Sequence, residues 1–88
     1  MRFMTIYSLD PADRDAAIAR FKKSQGAPPN GVKLLGRWHD VAGHRGFTIS
    51  EANDAQALYK WVLEWSDLMT FETCVVLDDA EFGAVLNG

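Results

Sequence analysis

The spacing of apolar positions changes repeatedly along these 88 residues, and each change marks the edge of an element. Residues 2–9 read as a strand, rich in β-branched and aromatic side chains. Asp10-Pro11-Ala12-Asp13 then opens a helix, with Asp10 as its cap and Pro11 at the first helical position. Ala17, Ile18 and Phe21 give this helix one apolar stripe, and Lys22-Lys23 place cations at the negative end of its dipole. Gly26 ends it, because Ala27-Pro28-Pro29-Asn30-Gly31 cannot continue a helix. Val32 to Val41 form a second strand and Arg45 to Glu51 a third, with Ala42-Gly43-His44 short enough to close a hairpin. Asn53 and Gln56 have the spacing of a capping box for a second helix, along which Ala55, Leu58, Val62 and Trp65 recur at helical spacing with Trp61 beside them. Met69 to Leu77 form a fourth strand, and Asp78-Asp79 open a terminal helix carrying Phe82, Val85 and Leu86.

The order β-α-β-β-α-β plus a terminal helix predicts one α+β domain spanning residues 1–88. Right-handed crossovers put both main helices on one face of a four-stranded antiparallel sheet, the ferredoxin-like arrangement. Strict alternation assigns the faces. Val32, Leu34, Gly36 and Trp38, joined by Phe47, Ile49 and the odd-numbered residues Met69 to Leu77, are expected to meet the helices. The open face then carries Lys33, Leu35, Arg37, His39 and Val41 with Thr48, Ser50, Thr70, Glu72, Cys74 and Val76. The parity of the first strand stays open, since Phe3/Tyr7 and Met4/Ile6 are equally buriable. A mixed face of this kind suits packing against the same face of a second copy, so a homodimer through the open sheet face is expected.

Composition fits this picture. The chain is 48% apolar and 24% charged, a balance that belongs to a packed domain and not a disordered one. Three Trp and five Phe are generous for a domain whose own core leaves a thin margin. The net charge is −3 and no basic stripe tracks a phosphate backbone, so nucleic acid is not an expected partner. The opening residues are too polar for a signal peptide, and no run reaches membrane-spanning length. The single Cys74 excludes an internal disulfide and suits a reducing cytoplasm; among Thr73, Val75 and Val76 it reads as a small buried hydrophobe.

The densest chemistry lies between Gly36 and Phe47, which hold both histidines, Arg37, Arg45 and Trp38. His39 is the sharpest candidate for proton transfer near neutral pH. Arg37, two residues away on the same face, could hold an anionic group, and Glu72 could join from another strand. The opposing reading makes His39 a hydrogen-bonded interface residue and Arg37–Glu72 a structural ion pair. His39, Asp40 and His44 offer metal-ligand types, but the first two point to opposite faces and the spacing matches no strong pattern, so no metal or cofactor is expected. Trp38 reads as core, beside Leu34 and Phe47. Trp61 and Trp65 could line a ligand pocket between helices and sheet. Gly36 either makes room for a neighbouring group or kinks its strand, and Gly43 and Gly46 serve the turn.

The opening Met1-Arg2-Phe3-Met4, the run Gly31 to Asp40 with its Gly-Arg-Trp-His-Asp, the Trp61 to Asp67 segment and the closing Val76-Leu77-Asp78-Asp79 together resemble a small, mainly bacterial family known as domain of unknown function 3303. The resemblance covers nearly the whole chain. It implies the dimeric α+β barrel architecture, in which two ferredoxin-like sheets pack face to face. It implies no reaction, because that superfamily holds cofactor-free monooxygenases, isomerases, haem enzymes and stress-response proteins, and no catalytic motif of theirs is matched here. The expectation is a cytoplasmic homodimer binding a small aromatic or anionic molecule through Arg37, His39 and Glu72, with Trp61 and Trp65 as aromatic walls. One alternative is a structural or regulatory dimer without a ligand site. Another is a cofactor-independent monooxygenase- or isomerase-like enzyme that uses His39.

Overall fold

The computed structural model describes residues 1–88. Its elements are β1 (Arg2–Ser8), a 3-10 turn (Pro11–Asp13), α1 (Arg14–Ser24), β2 (Val32–His39), β3 (Arg45–Ala52), α2 (Ala55–Trp65), β4 (Thr70–Val76) and α3 (Asp79–Asn87). The sheet is four-stranded and antiparallel in the order β2-β3-β1-β4, as the ferredoxin-like reading requires. No helix is long and apolar enough to cross a membrane.

The chain punctuates its helices much as the sequence predicts, with two changes. Pro11 starts a 3-10 turn rather than the α-helix itself, and the Asp10 side chain caps nothing. At α2 the cap is Asp54, whose carboxylate accepts from the Ala57 N–H at 2.9 Å, so the box expected from Asn53 does not form. α1 ends on Gln25 and Gly26, both left-handed with φ of 60°. Asp78 caps α3 in a reciprocal box with Glu81, and Arg2 reaches Glu81 at 2.6 Å to fix that helix's entry.

One irregularity redistributes the faces. The β2–β3 register slips between Leu34 and Gly36, leaving Leu35 as a bulge. Val32 and Leu34 face the helices before it; after it, Arg37 and His39 do. Trp38 is thereby turned outward and stands 58% exposed, not in the core. The Phe47 and Ile49 positions follow the same correction. In register with Ile6 and Met4 they lie on the open face, while Gly46, Thr48, Ser50 and Ala52 are the residues of β3 that meet the helices. β1 presents Phe3, Thr5 and Tyr7 to the helices and leaves Met4 and Ile6 outside.

The core is accordingly small. Phe3, Ala52, Leu58, Trp61 and Trp65 form its buried centre, with Phe21, Leu34 and Phe71 packed against them. Much apolar surface stays uncovered. Trp38 and Met4 stand out from the open face, Cys74 is exposed there instead of buried, and Phe82, Val85 and Leu86 of α3 bury nothing. The molecule measures 49 × 28 × 17 Å, with a radius of gyration of 14.4 Å, against about 12 Å for a compact chain of this length.

Candidate functional site

Small residues on β3 open a space that large ones would have closed. With Gly46, Thr48 and Ser50 beneath the helices, α1 and α2 stand over a cavity of about 330 Å³ on the sheet's covered face. Its walls are apolar: Phe21 from α1, Leu58, Trp61 and Trp65 from α2, and Met69 and Phe71 on the β4 side. Most of its polar groups come from the sheet, with Thr5 and Tyr7 on β1, Thr48 on β3, and Arg37 and His39 on β2, while Arg14 of α1 and Asp40 just past β2 stand at the rim. An apolar chamber with a few convergent polar groups has the make-up of a small-molecule site.

The polar end has a defined geometry. Tyr7, Gly46 and His39 lie side by side in register across three strands. The Tyr7 hydroxyl meets His39 Nδ1 at 2.7 Å although β3 runs between their strands. Gly46 permits this: the Tyr7 ring lies over its backbone, and a Cβ there would collide with the ring, the Cζ atom being only 2.5 Å away. Gly46 therefore serves the site and not the turn, whereas Gly43, with φ of 83°, does serve the turn. Phe21 meets the imidazole edge-on at 5.7 Å between centroids, and His39 Nε2 has no protein partner.

Arg37 is held differently from the sequence expectation. Its guanidinium donates to the carbonyls of Gly26 at 2.9 Å and Gln25 at 3.0 Å, the unpaired acceptors at the end of α1, and lies over the Phe21 ring. Two of its five N–H donors are used in this way, and no carboxylate neutralises it. Gly26 is needed for that approach, since a Cβ would sit 2.6 Å from Nη1. Partial desolvation on the cavity side, aided by the Arg37 charge, holds the His39 imidazole below its usual range, although the residue as a whole remains exposed to solvent. Burial likewise raises the Tyr7 phenol, an effect that Arg37 opposes and Asp40 reinforces. Desolvation also lowers Arg37.

The structure thus brings together four of the five side chains marked in the sequence. Arg37, His39, Trp61 and Trp65 surround one cavity, on the helix-covered face rather than the open one. Glu72 stands apart: in register with Ile6, it lies on the opposite face and cannot pair with Arg37. Asp40 is occupied by Arg45, at 2.9 Å, and by the Ala42 N–H, which together hold its carboxyl below the usual range; His44 is an exposed turn residue. No three His, Cys, Asp or Glu residues converge as metal ligands would. Sequence reasoning missed Tyr7 and Gly46, whose partnership exists only in the strand register. It also missed Phe21 as a cavity wall, although its place on the apolar stripe of α1 was the available signal.

Comparisons with known proteins agree with the fold. A family model described as Domain of unknown function (DUF3303) matches residues 1–88. Among solved structures, that of Rv0793 from Mycobacterium tuberculosis is similar over 91% of this chain and 99% of that one, with a TM-score of 0.54 and 13% identity. At that identity the likeness is one of fold alone. No curated protein matches the chain.

Proposed function

The chain belongs to the DUF3303 family, which assigns it no reaction, and from its geometry we propose that it binds a small amphipathic molecule between helices and sheet. The observation that carries this reading is the cavity of about 330 Å³, aromatic on its walls and lined at one end by Tyr7, His39 and an Arg37 without a carboxylate partner. The aromatic body of a ligand would stack against Trp61, Trp65 and Phe21, and a polar or anionic group would meet the three remaining N–H donors of Arg37. The enzyme alternative would place His39 at the reacting atoms.

The same reading makes the chain a homodimer through its open face. The exposed Trp38 and Met4, with the half-buried Ile6, Phe47 and Ile49 between them, form an apolar surface there that a second copy would cover. A second copy would cover Cys74 as well. A structural dimer without a ligand would account for Arg37 as the cap of α1 through the Gln25 and Gly26 carbonyls, but it gives no role to the aromatic-walled cavity beside it.

Fluorescence separates the two. In a Trp38→Phe background, emission comes from Trp61 and Trp65, both in the cavity wall. Naphthoate should quench it saturably, and Arg37→Met should weaken the binding about tenfold, the effect of losing one charge-assisted hydrogen bond worth about 1.5 kcal/mol. Absence of saturable quenching, or equal affinity in the Arg37→Met protein, would refute the site.

A further inference from the structure

We propose that this cavity takes phenols, or aromatic enols of similar acidity, and holds them as their anions, with His39 Nε2 as the proton acceptor and Tyr7 as its positioning residue. The proposal rests on the cavity reading above and specifies its ligand class.

Three observations lead there. His39 has one nitrogen engaged and one free: Nδ1 is 2.7 Å from the Tyr7 hydroxyl, while Nε2 has no protein partner in a residue that lines the cavity. When Nδ1–H donates to the Tyr7 oxygen, Nε2 is the lone-pair nitrogen, and the same hydrogen bond stabilises the ring once Nε2 is protonated. A free tyrosine would not keep this alignment; here the ring is set over Gly46, where a side chain would exclude it. Second, desolvation and the Arg37 charge hold the imidazole below its usual range. This keeps the Nε2 lone pair available but weakens it as a base, so the transfer depends on the attraction of Arg37 for the anion formed. Third, Arg37 stands two residues away on the same face, a cation without a carboxylate. In the empty cavity it disfavours a charged His39; beside a bound phenolate it attracts the anion, and the anion in turn screens the two cations from each other.

The step balances within the complex. The phenol O–H bond breaks, an N–H bond forms at His39 Nε2, and a neutral pair becomes a phenolate and an imidazolium with no proton lost to solvent. A plain carboxylate would already be ionised at pH 7 and would have no use for a base. A neutral arene would have no use for Arg37. A weakly acidic hydroxyl on an aromatic body uses Tyr7, His39 and Arg37 together.

Groups that could confuse a titration are few. Tyr7 faces His39 from β1, Arg37 and Asp40 lie on β2 and its end, Arg14 reaches the rim from α1, and β3 contributes only Gly46 at this point. Asp40 is engaged by Arg45.

The test uses para-nitrophenol, whose anion and neutral form absorb at different wavelengths, and para-nitroanisole, its methyl ether with no proton to give. Quenching of Trp61 and Trp65 in the Trp38→Phe protein reports occupancy, and absorbance reports protonation. Nitrogen NMR of the protein with His44→Asn, which leaves His39 alone, reports where the proton goes. The expected result is that both probes bind, that only nitrophenol turns His39 into imidazolium, and that its anion-to-neutral ratio falls about tenfold, one pKa unit, in His39→Gln. Tyr7→Phe should bind both probes and reduce the imidazolium signal, because the ring still covers Gly46 but no longer accepts from Nδ1–H. A bound nitrophenol that remains neutral, or an anion fraction unchanged in His39→Gln, overturns the proton transfer while leaving the cavity reading intact. If neither probe binds, both fall.

Discussion

Replacing Gly46 with alanine sets two physical expectations against each other. Gly46 lies inside β3, where alanine is ordinarily favoured by about 0.5–1 kcal/mol because glycine loses more backbone freedom on folding. In this fold the added methyl would occupy the space of the Tyr7 ring, with Cζ at 2.5 Å and the hydroxyl oxygen at 2.7 Å. Displacing a half-buried ring costs about 1–3 kcal/mol, and the Tyr7–His39 hydrogen bond lost with it about 1 kcal/mol. The net expectation is a destabilisation of about 1–3 kcal/mol, opposite in sign to the strand preference. Urea denaturation at one fixed protein concentration should then show a midpoint lowered by about 1 M, since m for a small domain is about 1–3 kcal/mol per molar urea. The origin of the effect is tested by pairing it with Tyr7→Leu: without the ring, Gly46→Ala should become neutral or stabilising, a coupling of at least about 1 kcal/mol. A Gly46→Ala protein as stable as the wild type, with the His39 resonances unmoved, would refute the reasoning.

Three further outcomes are expected. Because burial depresses the folded-state pKa of His39, the unfolded chain binds more protons there, so the contribution of His39 to stability is complete above about pH 6.5 and is lost as pH falls through its lowered value; the urea midpoint of wild type relative to His39→Gln should fall with pH in that window, and a rise would contradict the assignment. Asp54→Ala should cost about 1 kcal/mol through loss of the α2 cap, whereas Asn53→Ala should be within error in the same melt. Trp38→Glu, which puts a charge on the open face, should convert a two-copy sedimentation mass to a one-copy mass with the helical circular dichroism retained; an unchanged mass, or a monomeric wild type, would place the association elsewhere or exclude it.

The elements were legible in the sequence because each rests on local chemistry. The Pro-Pro segment, the hairpin between Asp40 and Arg45, the Asp78 box and the helical spacing of Leu58, Val62 and Trp65 act within a few residues of themselves. The strand faces were less legible, because alternation propagates a single error along a whole strand. Leu35 bulges on the edge strand β2, a common place for bulges, and every residue after it changes sides. The strand-interior Gly36 was the available sign; it adjoins the bulge and also lies beneath the outward-turned Trp38 ring, where a Cβ would have no room. The grouping of Arg37 with His39 survives because both follow the bulge, while Glu72, on a regular strand, stays on the other face. The Tyr7–His39 bond is a property of three strands in register, spanning 32 positions of sequence, and no local pattern encodes it.

The three tryptophans offer a direct reading of where a ligand goes, because Trp61 and Trp65 border the cavity and Trp38 stands on the far face of the sheet. Amide and indole N–H spectra of the wild-type protein, titrated with naphthoate, should show saturable shifts of the Trp61 and Trp65 indoles and of the Tyr7, Arg37 and Gly26 amides, with the Trp38 indole unmoved. Shifts centred on Trp38 and the open face, with Trp61 and Trp65 silent, would contradict a binding site between helices and sheet.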